Sequence, residues 1–414
     1  MDLAEHRALD ALQRDPYPLY ARARSADGLT FVPELDSWLV ARDADVREVL
    51  RRPEDFSSAN SLSPDVRPGP AALAELAKGI GGRGTVVTAD GDAHRALRAP
   101  LNSGLSPARV NAVLPYATAR AEELLDAFAP RGRVELMGEY AQLLPGDVIG
   151  RLLGLTEEDS RTAVHGGRRA EELLFRPLAE DEQIACARDV VTLQHLLDNY
   201  IRDRRAHPRD DLVSTMNTAL VPGTGDLTRE QRGHLVSQLQ NLLLAGHLTT
   251  TALIGSTMLH LLSDRTRWER LCAAPGRIPA AIDEAARYDS PIQGFRRVTT
   301  RPVTLAGTEL PAGAVVFVAY GAANRDPERH EHPDSFDLSR TAGARHVAFG
   351  HGVHGCPGSQ LGKAQVRITL ELFARRLPDV RLSVGKRPGR AADQRAVMRP
   401  TLIHRSPQAL HLTF

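Results

Sequence analysis

Three groups of residues in this chain have types and spacings that suit chemistry. The first is the run Phe349 to Gly358, which reads Phe-Gly-His-Gly-Val-His-Gly-Cys-Pro-Gly. Glycines at 350, 352, 355 and 358 surround Cys356, so the backbone can turn tightly and approach a flat ligand. A thiolate in a nest of backbone N–H groups is a strong, soft metal ligand. Pro357 suits the first position of a helix, which predicts a sulfur at a helix N-terminus, where the charged form is favoured. The plainer reading of Cys356 is a small buried hydrophobe; the glycines around it favour the metal. The second group is Ala245-Gly246-His247-Leu248-Thr249-Thr250-Thr251. Glycine followed by threonines is poor helix material, and a helix weakened at its midpoint usually makes room for a ligand or a bulge. Thr249 can bond back to the Ala245 carbonyl. The third group is two pairs at helical spacing, His94 with Arg98 and Glu284 with Arg287. By spacing alone these are a polar stripe and a surface salt bridge.

Mostly helical elements must position these groups. Thr228-Arg229-Glu230-Gln231 has capping-box spacing and opens a helix predicted over 228–262. Leu235, Leu239, Leu242, Leu243, Leu253, Leu261 and Leu262 make it apolar nearly all round, so it should cross the middle of the protein for about 50 Å. Further helices are expected after Asp90, over 279–288, over 360–376, and from Asp43, as cap, to residue 50. Residues 106–205 read as amphipathic helices with breaks at 130–132 and at Pro145-Gly146. Short strands are expected at 29–32, 38–41, 303–305, 315–318 and 401–404. Residues 59–86 read as an irregular stretch with one short helix, either a lid or a plain surface loop.

The pattern Phe349, Gly350, Gly352, His354, Cys356, Gly358 resembles the haem-binding signature of cytochromes P450. The order of the other motifs agrees, through Arg297, Asn324-Arg325-Asp326-Pro327 and the run from Phe336 to Arg340. The resemblance covers essentially the full chain. It implies one haem domain over 1–414, mainly α with small β-sheets, with a long central helix over haem b. It implies Cys356 as the iron ligand. His94, Arg98, Arg297 and His354 would partner the propionates, and Phe349, Gly350 and Gly358 would shape the loop around the sulfur. Ala245 and Gly246 would border the dioxygen groove, and the Thr249 hydroxyl would serve oxygen activation. Glu284 and Arg287 would lock the scaffold beneath the haem. Leu242, Leu248, Ile292, Phe295 and Ile403 are expected around an apolar substrate, under a roof from Leu173, Leu174, Phe175 and Pro177. For the roof residues, core packing is an equal expectation. One position departs from the family pattern: Leu248 stands where an acid is expected and has neither donor nor acceptor.

The implied activity is a monooxygenase acting on a sizeable apolar small molecule of secondary metabolism. The alternatives are oxidative coupling or rearrangement without oxygen insertion, and a non-catalytic haem-thiolate sensor. No flavin or iron–sulfur motif is present, so electrons from NAD(P)H are expected through a ferredoxin and its reductase. Arg367, Arg375 and Arg376 are candidates to receive an acidic partner, or else form a solvated helix face.

The 414 residues are 42% hydrophobic and 25% charged, as in a soluble globular protein. A net charge of +1 gives no sign of nucleic-acid binding. Three widely spaced cysteines, Cys186, Cys272 and Cys356, argue against a disulfide framework or a cysteine-rich zinc site and fit a reducing cytoplasm. The first ten residues lack the apolar core of a signal peptide, and no uninterrupted apolar run reaches membrane-spanning length.

Overall fold

The computed structural model describes residues 3–340, 346–383 and 396–414. Fifteen α-helices lie among the described residues. In chain order they are α1 (Leu3–Arg14), α2 (Tyr17–Ser25), α3 (Asp43–Arg51), α4 (Pro70–Leu76), α5 (Gly91–Gly104), α6 (Pro107–Phe128), α7 (Leu143–Leu153) and α8 (Glu157–Phe175). The remainder are α9 (Glu180–Ala206), α10 (Leu212–Leu220), α11 (Arg229–Leu262), α12 (Arg265–Ala273), α13 (Ile278–Tyr288), α14 (Tyr320–Ala323) and α15 (Ser359–Arg376). The strands form a five-stranded sheet, a three-stranded sheet and one hairpin. In the large sheet Ser37–Val40 runs parallel to Val315–Ala319, while Gly294–Thr299 pairs antiparallel with Val315–Ala319 and with Phe56–Ser57. The structure is therefore mainly α with small β-sheets, as expected.

The central element is α11, 34 residues long. Its capping box is present: the Thr228 hydroxyl accepts from Gln231 N–H, and the Gln231 side chain accepts from Thr228 N–H. Long and apolar enough to cross a membrane, it has 78% of its most apolar window buried in the protein, which makes it a core helix. Residues of α6, α7, α9, α11, α13 and α15 share the main hydrophobic cluster. Despite its glycine and threonines the middle of α11 is unbroken, with no bulge. Thr249, Thr251, Ser256 and Thr257 each bond to the carbonyl four residues earlier, so their hydroxyls are satisfied within the helix.

Three local expectations are corrected. Asp43 is the first residue of α3, not its cap: its N–H donates to Asp326 and its carboxylate takes Arg47. Pro145 and Gly146 lie inside α7, with Pro145 in the first turn, where its missing N–H costs nothing. The break there is the π-helical turn Met137–Ala141. Residues 401–404 form a loop and no strand, because the Thr401 hydroxyl bonds the backbone of Ile403. The C-terminal strand is His411–Thr413. On the exposed face of α15, Arg375 and Arg376 form surface ion pairs with Glu122 and Asp126 of α6, and Arg367 lies 4.0 Å from Glu371.

Candidate functional site

The cysteine loop is built by its glycines. Gly350 and Gly352 adopt φ of 73° and 67°, a region that side chains rarely enter. At Gly352 a Cβ would also stand 2.4 Å from the Leu50 carbonyl oxygen. The loop closes when Cys356 N–H donates to the Phe349 carbonyl at 2.8 Å and Gly355 N–H to the Gly352 carbonyl. The Cys356 side chain is accessible, yet deep among protein atoms, as a sulfur facing an internal space would be. Burial raises its thiol pKa, and the Gly358 N–H and the Arg98 charge pull it back. Pro357 is not, as was expected, the first residue of α15 but lies one residue before its cap Gly358, and the sulfur still sits at the helix start. At Gly358 a Cβ would meet the sulfur and Leu105 only at 4.0 Å, so no described protein atom demands glycine there. Phe349 packs against the main core with the Lys363 ammonium 5.1 Å from its ring centre.

The four expected propionate partners converge beside this loop. His94 and His354 stack at 4.2 Å between ring centres. Arg98 donates to the Gly355 carbonyl. Arg297, on strand Gly294–Thr299, donates to Ser61 Oγ at 2.7 Å and the Arg296 carbonyl at 2.8 Å. His354 Nε2 lies 2.9 Å from Ser58 Oγ. Burial, then the Arg297 and His94 charges, push the His354 pKa down to about 3. Burial, then Arg98, lower that of His94, and burial lowers that of Arg98. His94 Nε2 is buried without a partner. Desolvated cations beside an orphaned ring nitrogen suit a ligand carrying anionic groups. A haem, with its propionates, fits this donor set and a sulfur at a helix start.

Beneath lies the scaffold pair. Arg287 grips Glu284 with two bonds at 2.7 and 2.8 Å, and both side chains are at most 1% exposed. The surface-bridge reading is thereby overturned. Arg287 also donates to the carbonyls of Asn324, Pro333 and Ser335, while Glu284 accepts from Asp337 N–H and Arg340 Nε. Arg340 was not anticipated as a partner: it lies 56 residues from Glu284, a separation no local pattern reports.

On α11, Thr249 Oγ1 donates to the Ala245 carbonyl at 2.8 Å, and Ala245 is exposed. Gly246 has a packing reason: a Cβ there would stand 2.8 Å from Ile149 Cδ1 on α7. His247 turns away, donating through Nε2 to the Gln142 carbonyl at 2.9 Å, and burial lowers its pKa to about 4. Leu248 is only 4% exposed and Leu242 6%, so both have little surface to offer a substrate. Ile292 and Phe295 pack on the sheet-side cluster and Ile403 lies in the C-terminal loop. The expected apolar residues thus belong to separate clusters. Leu173 packs with Ala72 and Cys186 as core. The sequence reading missed a polar group formed by buried Glu171 and His404 with the partly exposed Arg168 and Arg399.

Comparison with known proteins adds three findings. A family model described as Cytochrome P450 matches residues 278–388. The chain is 34% identical over 387 residues to Cytochrome P450 107B1 of Saccharopolyspora erythraea, covering 90% of each. It is 33% identical over 341 residues to Erythromycin C-12 hydroxylase of the same organism, covering 81% of this chain and 80% of that one. Among solved structures, cytochrome P450 CREJ in complex with (4-ethylphenyl) dihydrogen phosphate superposes with a TM-score of 0.88 at 27% identity, covering 97% and 98% of the two chains.

Proposed function

The chain belongs to the cytochrome P450 family, and on that premise we propose that it is a single-domain, cytoplasmic haem-thiolate monooxygenase of secondary metabolism. Its reaction inserts one atom of O2 into a sizeable apolar small molecule. One observation carries this reading: desolvated His94, His354, Arg98 and Arg297 converge beside the accessible sulfur of Cys356. The hydroxylase among its relatives supports insertion over coupling or sensing.

In this reading Cys356 Sγ is the iron ligand, and the four cationic and imidazole groups take the propionates. The bound haem supplies the oxygen-activating chemistry, which a thiolate ligand favours by donating electron density. The Gly358 N–H steadies the thiolate, and the Phe349 carbonyl holds the Cys356 backbone in place. Ala245 and Thr249 face the reacting side. With its proton on the Ala245 carbonyl, Thr249 Oγ1 presents lone pairs that can accept a hydrogen bond from water. Leu248 cannot pass a proton, and His247, neutral at pH 7 with its N–H on Gln142, points elsewhere. Proton delivery therefore falls to Thr249 and water. Electrons from NAD(P)H arrive through a ferredoxin reductase and a ferredoxin.

The test is the spectrum of the reduced, CO-bound protein. The wild type should show the red-shifted band of a thiolate ligand, and Cys356→Ala should lose it. A wild-type spectrum of the histidine-ligated kind would overturn the reading.

A further inference from the structure

Arg168 on α8 is a half-buried cation with no ion pair among the described residues. One Nη1 donates to Gln142 Oε1, a neutral amide, at 2.9 Å. Its Nε is buried and has no partner among the described residues. The carboxylates nearby are engaged elsewhere. Glu172 takes Arg169 at 2.7 Å and Arg176 at 3.4 Å. Glu171 accepts from His404 Nδ1 at 3.0 Å and lies 3.8 Å from Arg399 Nη1. On the α11 side stands His247, which is neutral at pH 7. Among the described residues Arg399 has Glu171 near it, whereas the Arg168 guanidinium meets Glu172 and Glu171 only at longer range and forms no ion pair. A desolvated charge is costly until it is paired.

Both arginines remain reachable. Arg168 keeps part of its surface, and the Arg399 side chain is 23% exposed. Arg399 and His404 flank Ile403, one of the residues expected at the substrate. A planar guanidinium presents donors that match a carboxylate. Resting on the monooxygenase reading above, we propose that Arg168 and Arg399 form a carboxylate-binding site at the substrate pocket, so that the substrate is an apolar molecule bearing one anionic oxygen group. Glu171 and His404 then hold Arg399 in position, and the free Nε of Arg168 is the donor the substrate completes.

Two arms test this on the haem-loaded protein. Crystals soaked in sodium bromide should show an anomalous peak within hydrogen-bond reach of Arg168 Nε, absent in Arg168→Gln. In equilibrium dialysis, benzoate should bind roughly tenfold or more tightly than benzamide, as a charge-assisted bond predicts. That preference should disappear in Arg168→Gln and be largely kept in Arg168→Lys. Absence of bromide at Arg168 would overturn the proposal, as would equal or undetectable binding of benzoate and benzamide. Bromide without a benzoate preference means an adventitious ion only, and overturns it too. The CO spectrum separates the two readings, since an abnormal wild-type spectrum refutes the haem assignment, whereas the anion arms judge Arg168 alone.

Discussion

Removing Arg287 is the sharpest perturbation of the scaffold. The guanidinium is fully buried and makes five hydrogen bonds, two to Glu284 and one each to the carbonyls of Asn324, Pro333 and Ser335. Arg287→Ala leaves Glu284, 1% exposed, with only Arg340 at 3.2 Å and one backbone N–H. Breaking a buried pair from one side costs about 3–5 kcal/mol. Buried ion pairs can often be replaced as a unit by apolar residues at no loss, but this geometry predicts otherwise. Glu284→Leu with Arg287→Leu removes both charges and still strands three carbonyls, each costing about 1–3 kcal/mol. The double variant should therefore stay at least ~3 kcal/mol below wild type. Glu269→Gln, which breaks a half-exposed bridge to Arg265, should cost no more than about 1 kcal/mol. Denaturant midpoints, with haem content of the purified protein as a second readout, measure all three. Full stability in Arg287→Ala, or recovery in the double variant, would refute the reasoning.

Two further predictions concern α11. Gly246→Ala places a methyl 2.8 Å from Ile149 Cδ1, so strain of about 1–3 kcal/mol should outweigh the gain in helix propensity, and in an Ile149→Ala background, itself destabilised, the same change should cost nothing further; a stabilised single variant would refute the close packing. His247 has its pKa lowered to about 4 in the folded protein, so the unfolded chain takes up this proton first as pH falls. Its contribution is complete above about pH 6.5 and is lost as pH falls from there to 4, by roughly 3 kcal/mol. The stability difference between wild type and His247→Gln should narrow over that interval, and a difference independent of pH would remove His247 as its source.

Much of this protein could be read from the chain alone, because the determining signals are local. Gly350 and Gly352 permit the positive φ the cysteine loop needs, Thr228 and Gln231 cap α11, and the leucine run requires that helix to be buried. Residue type and spacing were sufficient there, since each constraint acts within a turn or two. The tertiary structure decided what depends on contacts across the chain. Glu284 and Arg287 looked like a surface bridge until Asn324, Pro333, Ser335 and Arg340 enclosed them. At Gly246 the structure adds a packing reason, since the approach of Ile149 leaves no space for a side chain. The strand expected at 401–404 gave way to a loop because Thr401 bonds the Ile403 backbone. Arg168 carried no signal at all, because its want of an ion pair among the described residues is set by what packs around it in space. Burial, desolvation and pairing are properties of neighbours, and the neighbours are chosen only when the helices pack.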